Sequence, residues 1–342
     1  MLSRVFHRWE RRLASFATDR VVRPFDWGVE WIGNGAAHAP VGIAEHLEAW
    51  AADTVQRSDE FYAVDPADDY HLEGDQLSFT SVIVTPHVEN NTVRARYFAD
   101  SSPRGRRRAV LVLPQWNSDA DGHVGLCRVL NRFGISALRL SLPYHDVRMP
   151  AELRRADYIV SSNVGRTMQV CRQAVLDARR AIAWLASEGY TSIGILGTSL
   201  GSCLSMLTAA HEPLVRAAAL NHVSPYFADV VWNGLSTAHV REGLEGHIDL
   251  DSLRRIWMPI SPFPFLERVR GKQTLLVYAL YDLTFPLTLS RMLVTEFQMR
   301  NVPHEKVVLP CGHYSTGVSP FKWLDGIALC RFLNRALPVT GI

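Results

Sequence analysis

Lysine is scarce in this sequence of 342 residues. Of its 36 basic residues, three are lysines (Lys272, Lys306 and Lys322) and the rest are arginines. The 34 acidic residues nearly balance them and leave a formal net charge of +2, without the basic excess that nucleic-acid binding requires. The densest basic run, residues 104–108, lies between two strand-like segments and is predicted to be a solvated turn. We therefore expect no nucleic-acid partner.

Long apolar runs and metal-binding patterns are also missing. No stretch of about 20 consecutive apolar residues occurs, so no membrane span is expected. The five cysteines are scattered, and neither a Cys-x-x-Cys nor a His-x-x-x-His pattern appears, so no metal site is expected. This cysteine usage is typical of a reducing compartment without a disulfide framework. We expect a cytoplasmic protein, with a peripheral membrane location as the alternative.

The first 20 residues have the pattern of an amphipathic helix. Six apolar residues recur at helical spacing on one face: Leu2, Val5, Phe6, Trp9, Leu13 and Phe16. Arginines occupy much of the remaining surface, and no uninterrupted apolar segment of a secretory signal is present. Three interpretations are open: a helix docked on the main domain, a helix on a membrane surface, or an organellar transit peptide. The second would give a weak membrane-surface contact through residues 1–20.

The rest of the chain predicts an α/β architecture. Residues 1–75 are interpreted as a helical extension packed on a core domain of residues 76–342. From residue 108 onward strands and helices alternate, and one such helix is predicted over residues 169–188. This alternation predicts a mostly parallel sheet of about eight strands with helices on both faces, while two earlier strands form an antiparallel edge. Insertions at about 146–168 and 225–270 leave strand ends and are expected to form a lid or cap.

The pentapeptide Gly197-Thr198-Ser199-Leu200-Gly201 lies between an apolar run and a helical pattern of small residues. Strand, Gly-x-Ser-x-Gly and helix, in this order, form a nucleophile elbow. The tight turn strains the backbone of the serine, and the flanking glycines leave room for strand and helix to approach. Ser199 is therefore the candidate nucleophile.

Two further polar residues follow predicted strands. Asp282 comes directly after the apolar run 275–281, and His313 lies in the loop after the strand predicted at 305–310. A carboxylate at a strand end can accept a hydrogen bond from a histidine and fix its tautomer, so that the histidine can accept the serine proton. Ser199, Asp282 and His313 therefore form a candidate catalytic triad.

With these residues in place, the chain from about residue 77 to its C-terminus resembles the α/β-hydrolase superfamily. The segment 282–286 is similar to the family's Asp-x-x-x-Pro, Gly312-His313 to its base motif, and Pro143-Tyr144-His145 to its Pro-Gly-His. The resemblance implies the α/β-hydrolase fold and acyl transfer on serine without a cofactor. Within the superfamily, the chain is loosely similar to dienelactone-hydrolase-like and acetyl-xylan-esterase-like members.

The oxyanion hole is expected from two backbone N–H groups. One is Leu200, the residue after the nucleophile, and the other is Trp116, in the loop after the strand predicted at 108–114. The family's usual His-Gly is replaced here by Pro114-Gln115, which leaves the geometry of the second donor open and speaks against the Gly-rich lipases and esterases.

Other polar and aromatic residues are candidates for lining the substrate pocket: Gln115, Tyr144, His145, His222 and Tyr226. His222 is equally well explained as a core or turn histidine, and the aromatics of the second insertion as that insertion's own core. Two rival arrangements are open, one with Asp229 as the triad acid and one with a His145–Asp146 dyad.

The sequence thus predicts a serine hydrolase that cleaves a carboxylic ester of a small molecule through an acyl-enzyme. A thioesterase, an amidase and a non-catalytic scaffold that binds a ligand or partner are the alternatives. The sequence leaves the oligomeric state open.

Overall fold

The computed structural model describes residues 2–32, 42–100 and 107–338. Within these ranges one mixed sheet has the order β1-β2-β3-β5-β4-β6-β7-β8-β9. Its strands are β1 (His71–Glu73), β2 (Gln76–Thr80), β3 (Thr92–Phe98), β4 (Arg108–Leu113), β5 (Ser136–Leu140), β6 (Ser192–Thr198), β7 (Val215–Asn221), β8 (Gln273–Ala279) and β9 (Glu305–Leu309). The first three strands and the β3–β5 pair are antiparallel, and all later pairs are parallel.

The sheet has nine strands rather than about eight. The additional strand is β1, which the sequence placed inside the irregular extension. All three residues of β1 are exposed, so the strand lacks the alternation of apolar and polar residues by which a half-buried strand is predicted.

Helices cover both faces of the sheet. The helices are α1 (Leu2–Ala14), α2 (Ile43–Gln56), α3 (Ser58–Phe61), α4 (Val124–Arg132), α5 (Val164–Ser187), α6 (Leu200–His211), α7 (Phe227–Asn233), α8 (Ala238–Leu244), α9 (Leu250–Ile256), α10 (Leu287–Met299) and α11 (Phe321–Ala336). Alternate residues of the buried strand β4 belong to two separate cores: Ala109 and Leu111 pack with α5 and α6, whereas Val110 and Val112 pack with α4 and α11. This two-sided burial is the reason that the parallel strands are continuous apolar runs.

Helix α5 begins at Val164, five residues before the predicted start. The Asn163 side chain caps it by accepting a hydrogen bond of 2.8 Å from the Arg166 N–H, and Gly165 packs against the backbone of Gly28. The segment before residue 169 shows no clear helical periodicity because part of its helix face packs on backbone of the N-terminal region rather than on an apolar core.

The prediction of a solvated turn at residues 104–108 is wrong for Arg108. Residues 104–106 lie outside the described ranges, but Arg108 begins β4 and is buried. Its guanidinium donates to Leu337 O and Asn334 Oδ1, both at 3.1 Å, so this arginine ties the sheet to the end of α11.

The region before β1 and the second insertion pack together through α2 and α9. Glu48 on α2 accepts hydrogen bonds from Arg255 on α9, and the Tyr62 hydroxyl donates to Pro259 O at 2.9 Å. The domain boundaries at residue 75 and around both insertions stay predictions. No helix in the described part of the chain is long and apolar enough to cross a membrane.

Candidate active site

Ser199 occupies the sharp turn between β6 and α6. Its backbone has φ 56° and ψ −120°, a conformation that non-glycine residues rarely adopt. A Cβ on Gly197 would collide with the carbonyl oxygen of Gly201, and a Cβ on Gly201 would collide with the carbonyl oxygens of Leu113 and Pro114. The glycines therefore permit the close approach of strand and helix that presents the serine at the edge of the sheet.

Asp282 and His313 lie just beyond the carboxyl ends of β8 and β9. His313 Nδ1 is 3.1 Å from Asp282 Oδ2, and the Phe285 ring stacks against the imidazole with centroids 5.5 Å apart. Because the carboxylate accepts at Nδ1, the neutral His313 carries its proton there and leaves Nε2 as a free acceptor. This is the tautomer that a general base requires.

Backbone groups hold the other oxygen of Asp282. Oδ1 accepts hydrogen bonds of 2.7 Å from the N–H groups of both Thr284 and Phe285. Burial by itself would raise the pKa of Asp282, but the positive charge of His313 and the hydrogen bonds from His222 and His313 lower that pKa well below its usual value. Asp282 is thus an oriented carboxylate that stays ionised.

Sequence reasoning named His222 as a pocket candidate but missed its contact with Asp282. It follows β7 with φ 59°, is buried, and places Nδ1 at 2.9 Å from Asp282 Oδ2, the oxygen that also accepts from His313. Burial alone would lower the pKa of His222, but the hydrogen bond and charge of Asp282, with the charges of Asp325 and Glu10, raise it. The position of His222 at the end of a strand indicated that it lies near the site. Its hydrogen-bond partner could not be predicted, because that partner depends on how β7 and β8 pair.

The nucleophile and the candidate base face one cleft. Ser199, His222 and His313 all line a cleft of about 830 Å³. Within the described residues the Ser199 hydroxyl has no hydrogen-bond partner, so Ser199 and His313 are brought to the same cleft without being bonded to each other. Such catalytic contacts are often long before substrate binds and shorten in the reacting complex.

Both expected oxyanion donors lie beside Ser199. Leu200 is the first residue of α6, where the helix offers its own N–H groups no acceptor, and Trp116 lines the cleft. The indole of Trp116 donates to Ala156 O at 2.9 Å, which fixes its ring. The neighbouring Asn117 N–H already donates to His145 Nε2 at 3.0 Å. Of these two backbone amides, that of Trp116 is therefore the candidate for the second oxyanion donor.

Not all of the pocket candidates reach the cleft. Gln115 lines it, and Tyr226 lines a neighbouring apolar pocket. Tyr144 and His145 are buried and line neither cavity: the Tyr144 hydroxyl bonds to His87 Nδ1, and His145 bonds to the backbone of Asn117 and of its own loop. Both side chains are bonded to neighbouring loops, and substrate binding by either residue stays a prediction.

The rival acids have other partners. Asp146 forms an ion pair of 2.7 Å with Arg139 rather than a dyad with His145. Asp229 accepts two hydrogen bonds of 2.9 Å from Arg254. Neither carboxylate is bonded to His313, so the structure favours Asp282 among the three.

Ser199 stands between two cavities of different character. The cleft of about 830 Å³ combines apolar walls with charged side chains of both signs, among them Arg20, Arg155 and Asp325. On the other side lies a narrow pocket of about 40 Å³, whose walls are mostly apolar. Five of its lining residues are Cys203, Phe227, Val230, Val231 and Phe285.

One group in the described residues has the spacing of metal ligands: His222, Asp282 and His313, whose candidate ligand atoms lie within 4.8 Å of one another. Each histidine Nδ1 is bonded to Asp282 Oδ2, so the two imidazoles share one carboxylate oxygen. The arrangement is that of a carboxylate that orients two imidazoles.

No known protein-family pattern and no curated protein matches this sequence. Solved structures do match. Acetyl xylan esterase 1 from Thermoanaerobacterium sp. JW/SL YS485 has a TM-score of 0.58 at 14% identity, with 95% of this chain and 98% of that chain covered. The acylaminoacyl peptidase of Pyrococcus horikoshii has a TM-score of 0.62 at 12% identity, with 84% of this chain covered. This chain spans 44% of that peptidase's length.

A third neighbour is Est1E from Butyrivibrio proteoclasticus, solved with ferulic acid, with a TM-score of 0.52 at 14% identity over 72% of this chain and 95% of that chain. At these identities the likeness establishes the fold. The chain has the α/β-hydrolase fold that its motifs predicted, and it is similar to esterases and peptidases of that fold.

Proposed function

We propose that this protein is a serine hydrolase that cleaves carboxylic esters through an acyl-enzyme. The observation that carries the proposal is the hydrogen bond between Asp282 and His313 at the cleft that Ser199 faces from a strained elbow. The α/β-hydrolase fold and the esterase neighbours add support, since this fold places a nucleophile at this turn.

The residues suit a two-step acyl transfer. Ser199 Oγ attacks the substrate carbonyl carbon while His313 Nε2 takes the hydroxyl proton, and the N–H groups of Leu200 and Trp116 stabilise the oxyanion. As the carbon–oxygen bond breaks, His313 returns the proton to the leaving alcohol. A water molecule, deprotonated by His313, then attacks the acyl carbon and releases the acid and free Ser199. Asp282 keeps its negative charge throughout and stabilises the imidazolium.

The two cavities suggest how an ester is held. The narrow apolar pocket suits a short acyl group, because about 40 Å³ leaves little more than the space of an acetyl or propionyl chain. The wide cleft, which has charged side chains on its walls, suits a larger leaving group. The acyl carbon would then lie at Ser199, where the two cavities meet.

Two other functions are compatible with the fold. A thioester or amide could react at the same serine, since the same machinery serves each acyl bond. A scaffold without catalysis is the remaining alternative, and the Pro114-Gln115 sequence at the oxyanion loop is the feature that favours it.

The proposal is tested with p-nitrophenyl esters and a fluorophosphonate probe. Wild type should hydrolyse short-chain esters, and Ser199→Ala should lose about 10⁴-fold or more in kcat together with probe labelling. Ser187→Ala, at the exposed end of α5, is the matched control and should keep both. Equal hydrolysis by wild type and Ser199→Ala would contradict the assignment, and the absence of turnover with all acyl substrates in a folded protein would favour the scaffold.

A further inference from the structure

Glu10 on α1 is a buried carboxylate that contacts the loop of the candidate base. Its side chain lies in an N-terminal helix that is otherwise largely exposed, yet Glu10 is 0% exposed. Oε2 accepts a hydrogen bond of 2.8 Å from the Tyr314 N–H, and Oε1 accepts one of 2.9 Å from the Ser315 N–H. These are the two backbone amides that immediately follow His313.

No arginine, lysine or histidine of the described chain forms an ion pair with Glu10. A buried carboxyl group is costly unless its oxygens are well hydrogen-bonded. The stability of a buried Glu10 thus depends on the His313 loop keeping its position, and the loop in turn depends on Glu10.

The fit between helix and loop is close. A Cβ on Gly312 would collide with the Glu10 carboxyl group, so a larger residue before His313 would displace that carboxyl group from its present position. The Ser315 hydroxyl donates to no part of α1 but instead closes the loop on itself, by accepting from the Gly312 N–H at 2.8 Å. Glu10 and Ser315 therefore fix three amides of the same short loop, those of residues 312, 314 and 315.

The same N-terminal region also contacts the loop of the candidate acid. Phe6, one turn before Glu10, stacks on Tyr281 with ring centroids 4.5 Å apart and planes within 10°. Tyr281 immediately precedes Asp282. Beyond α1, Arg20 donates to the Tyr314 hydroxyl at 2.9 Å. One helix and its following segment thus hold both loops whose side chains form the Asp282–His313 pair.

We infer that Glu10 is a positioning residue for His313, and that α1 is part of the catalytic apparatus rather than a peripheral addition. This inference rests on the proposed hydrolase function. Glu10 touches neither substrate nor reacting atoms; it acts by holding the Tyr314 and Ser315 amides so that the His313 ring keeps its bond to Asp282 while its Nε2 faces Ser199.

The test uses the full-length chain with Glu10→Ala and Glu10→Gln. Glu10→Ala should lower kcat about 10- to 100-fold with KM changed less than twofold, since a small misplacement of a catalytic group has an effect of this size. Glu10→Gln keeps the side-chain volume and one acceptor oxygen, so it should retain more activity. Arg8→Ala, on the exposed side of α1, is the matched control and should behave as wild type.

Two physical measurements separate this inference from the hydrolase proposal. Hydrogen exchange at the Tyr314 and Ser315 amides should accelerate in Glu10→Ala, and the low-field proton NMR signal of His313 Nδ1–H should weaken or shift. Both can be measured even if wild type hydrolyses no ester, and fluorophosphonate labelling of Ser199 reports on the hydrolase proposal separately.

An unchanged His313 Nδ1–H signal in folded Glu10→Ala would overturn the inference, as would faster amide exchange with unchanged kcat in an active enzyme. If Glu10→Ala does not fold, the decision passes to Glu10→Gln, in which one of the two amides loses its acceptor oxygen. Smaller changes in the same direction are then expected, and amide exchange unchanged at both Tyr314 and Ser315 would overturn the inference.

Discussion

His222 and Asp282 are joined by a hydrogen bond of 2.9 Å between Nδ1 and Oδ2, and the same carboxylate oxygen also accepts from His313 at 3.1 Å. The two imidazole rings lie 4.7 Å apart, nearly edge to face. Asp282 therefore has two candidate imidazole partners. His313 is the more exposed of the two and lies on a loop, whereas His222 is held in a strand end with its Nε2 buried and unbonded within the described chain.

This difference predicts unequal effects of replacing the two histidines. His313→Gln should lower kcat by about 10⁴-fold, as removal of a general base does in serine hydrolases. His222→Phe should lower kcat by about tenfold or less, because Asp282 keeps two backbone N–H donors and the His313 bond. The measurement is steady-state hydrolysis of p-nitrophenyl acetate, and a larger loss for His222→Phe than for His313→Gln would exchange the two roles.

Asp325 should make the protein less stable as the pH rises from about 4 to 6. Burial raises the pKa of Asp325 to about 6 from an ordinary 3.8. The folded state therefore retains a proton that the unfolded state has lost, and the stabilisation present at low pH disappears as the pH rises through 6. The difference between the folded and unfolded pKa values of Asp325 corresponds to about 3 kcal/mol of unfolding free energy.

Asp325→Asn removes this dependence. At each pH, the free energy of unfolding of wild type is subtracted from that of Asp325→Asn. This difference should be about 3 kcal/mol larger at pH 7.5 than at pH 4. Urea unfolding at several pH values measures it, with the exposed Asp68→Asn as the control. A difference that does not vary with pH would refute the prediction.

The ion pair of Arg148 and Asp177 should contribute strongly to stability only as a pair. Both side chains are fully buried, their atoms are 2.8 Å apart, and Arg148 also donates to the carbonyls of Asn90 and Ser141. Arg148→Met leaves the buried carboxylate of Asp177 without its cationic partner, so the substitution should lower the free energy of unfolding by about 3–5 kcal/mol. Arg57→Met breaks the exposed pair with Asp53 and should leave the free energy of unfolding nearly unchanged, because water and salt screen exposed ion pairs. Equal costs in chemical denaturation would contradict this account of burial.

Enlarging the apolar pocket should change the preferred acyl chain. Val231 is buried and lines that pocket, so Val231→Ala should move the optimum of kcat/KM from acetyl or propionyl esters to chains one or two carbons longer. Each added methylene that fits is worth about tenfold or more in discrimination. A p-nitrophenyl ester series from acetyl to octanoyl measures the change. Val215→Ala, a buried valine at the opposite end of β7, should leave the optimum in place.

The N-terminal helix keeps an exposed apolar stripe that is compatible with weak membrane contact. Leu2, Val5 and Phe16 are 60–69% exposed, and arginines lie beside them. Wild type should co-sediment with phosphatidylglycerol vesicles more than with phosphatidylcholine vesicles, and Val5→Ser combined with Phe16→Ser should weaken binding about tenfold or more. Val84→Ser, at a still more exposed valine after β2, should have no effect. Failure of wild type to bind anionic vesicles would remove this prediction.

The fold and the nucleophile were predictable because their signals are local. Continuous apolar runs that alternate with amphipathic segments indicate a parallel sheet covered on both faces, and Gly197 and Gly201 mark the one turn where strand and helix must nearly touch. The missed strand β1 is exposed throughout, and the early start of α5 is fixed by Asn163 and by contact with Gly28. Neither feature leaves a periodic signal in the sequence.

The sequence by itself determined which residue types stand at strand ends, and thereby the α/β-hydrolase fold and the candidates Ser199, Asp282 and His313. Only the tertiary structure decided that His222 shares the carboxylate of Asp282, that Tyr144 and His145 support loops, and that Glu10 holds the amides after His313. The reason is physical: propensity and periodicity act between near neighbours in the chain, whereas a buried hydrogen bond across 60 or 304 positions exists only after the sheet and α1 have packed.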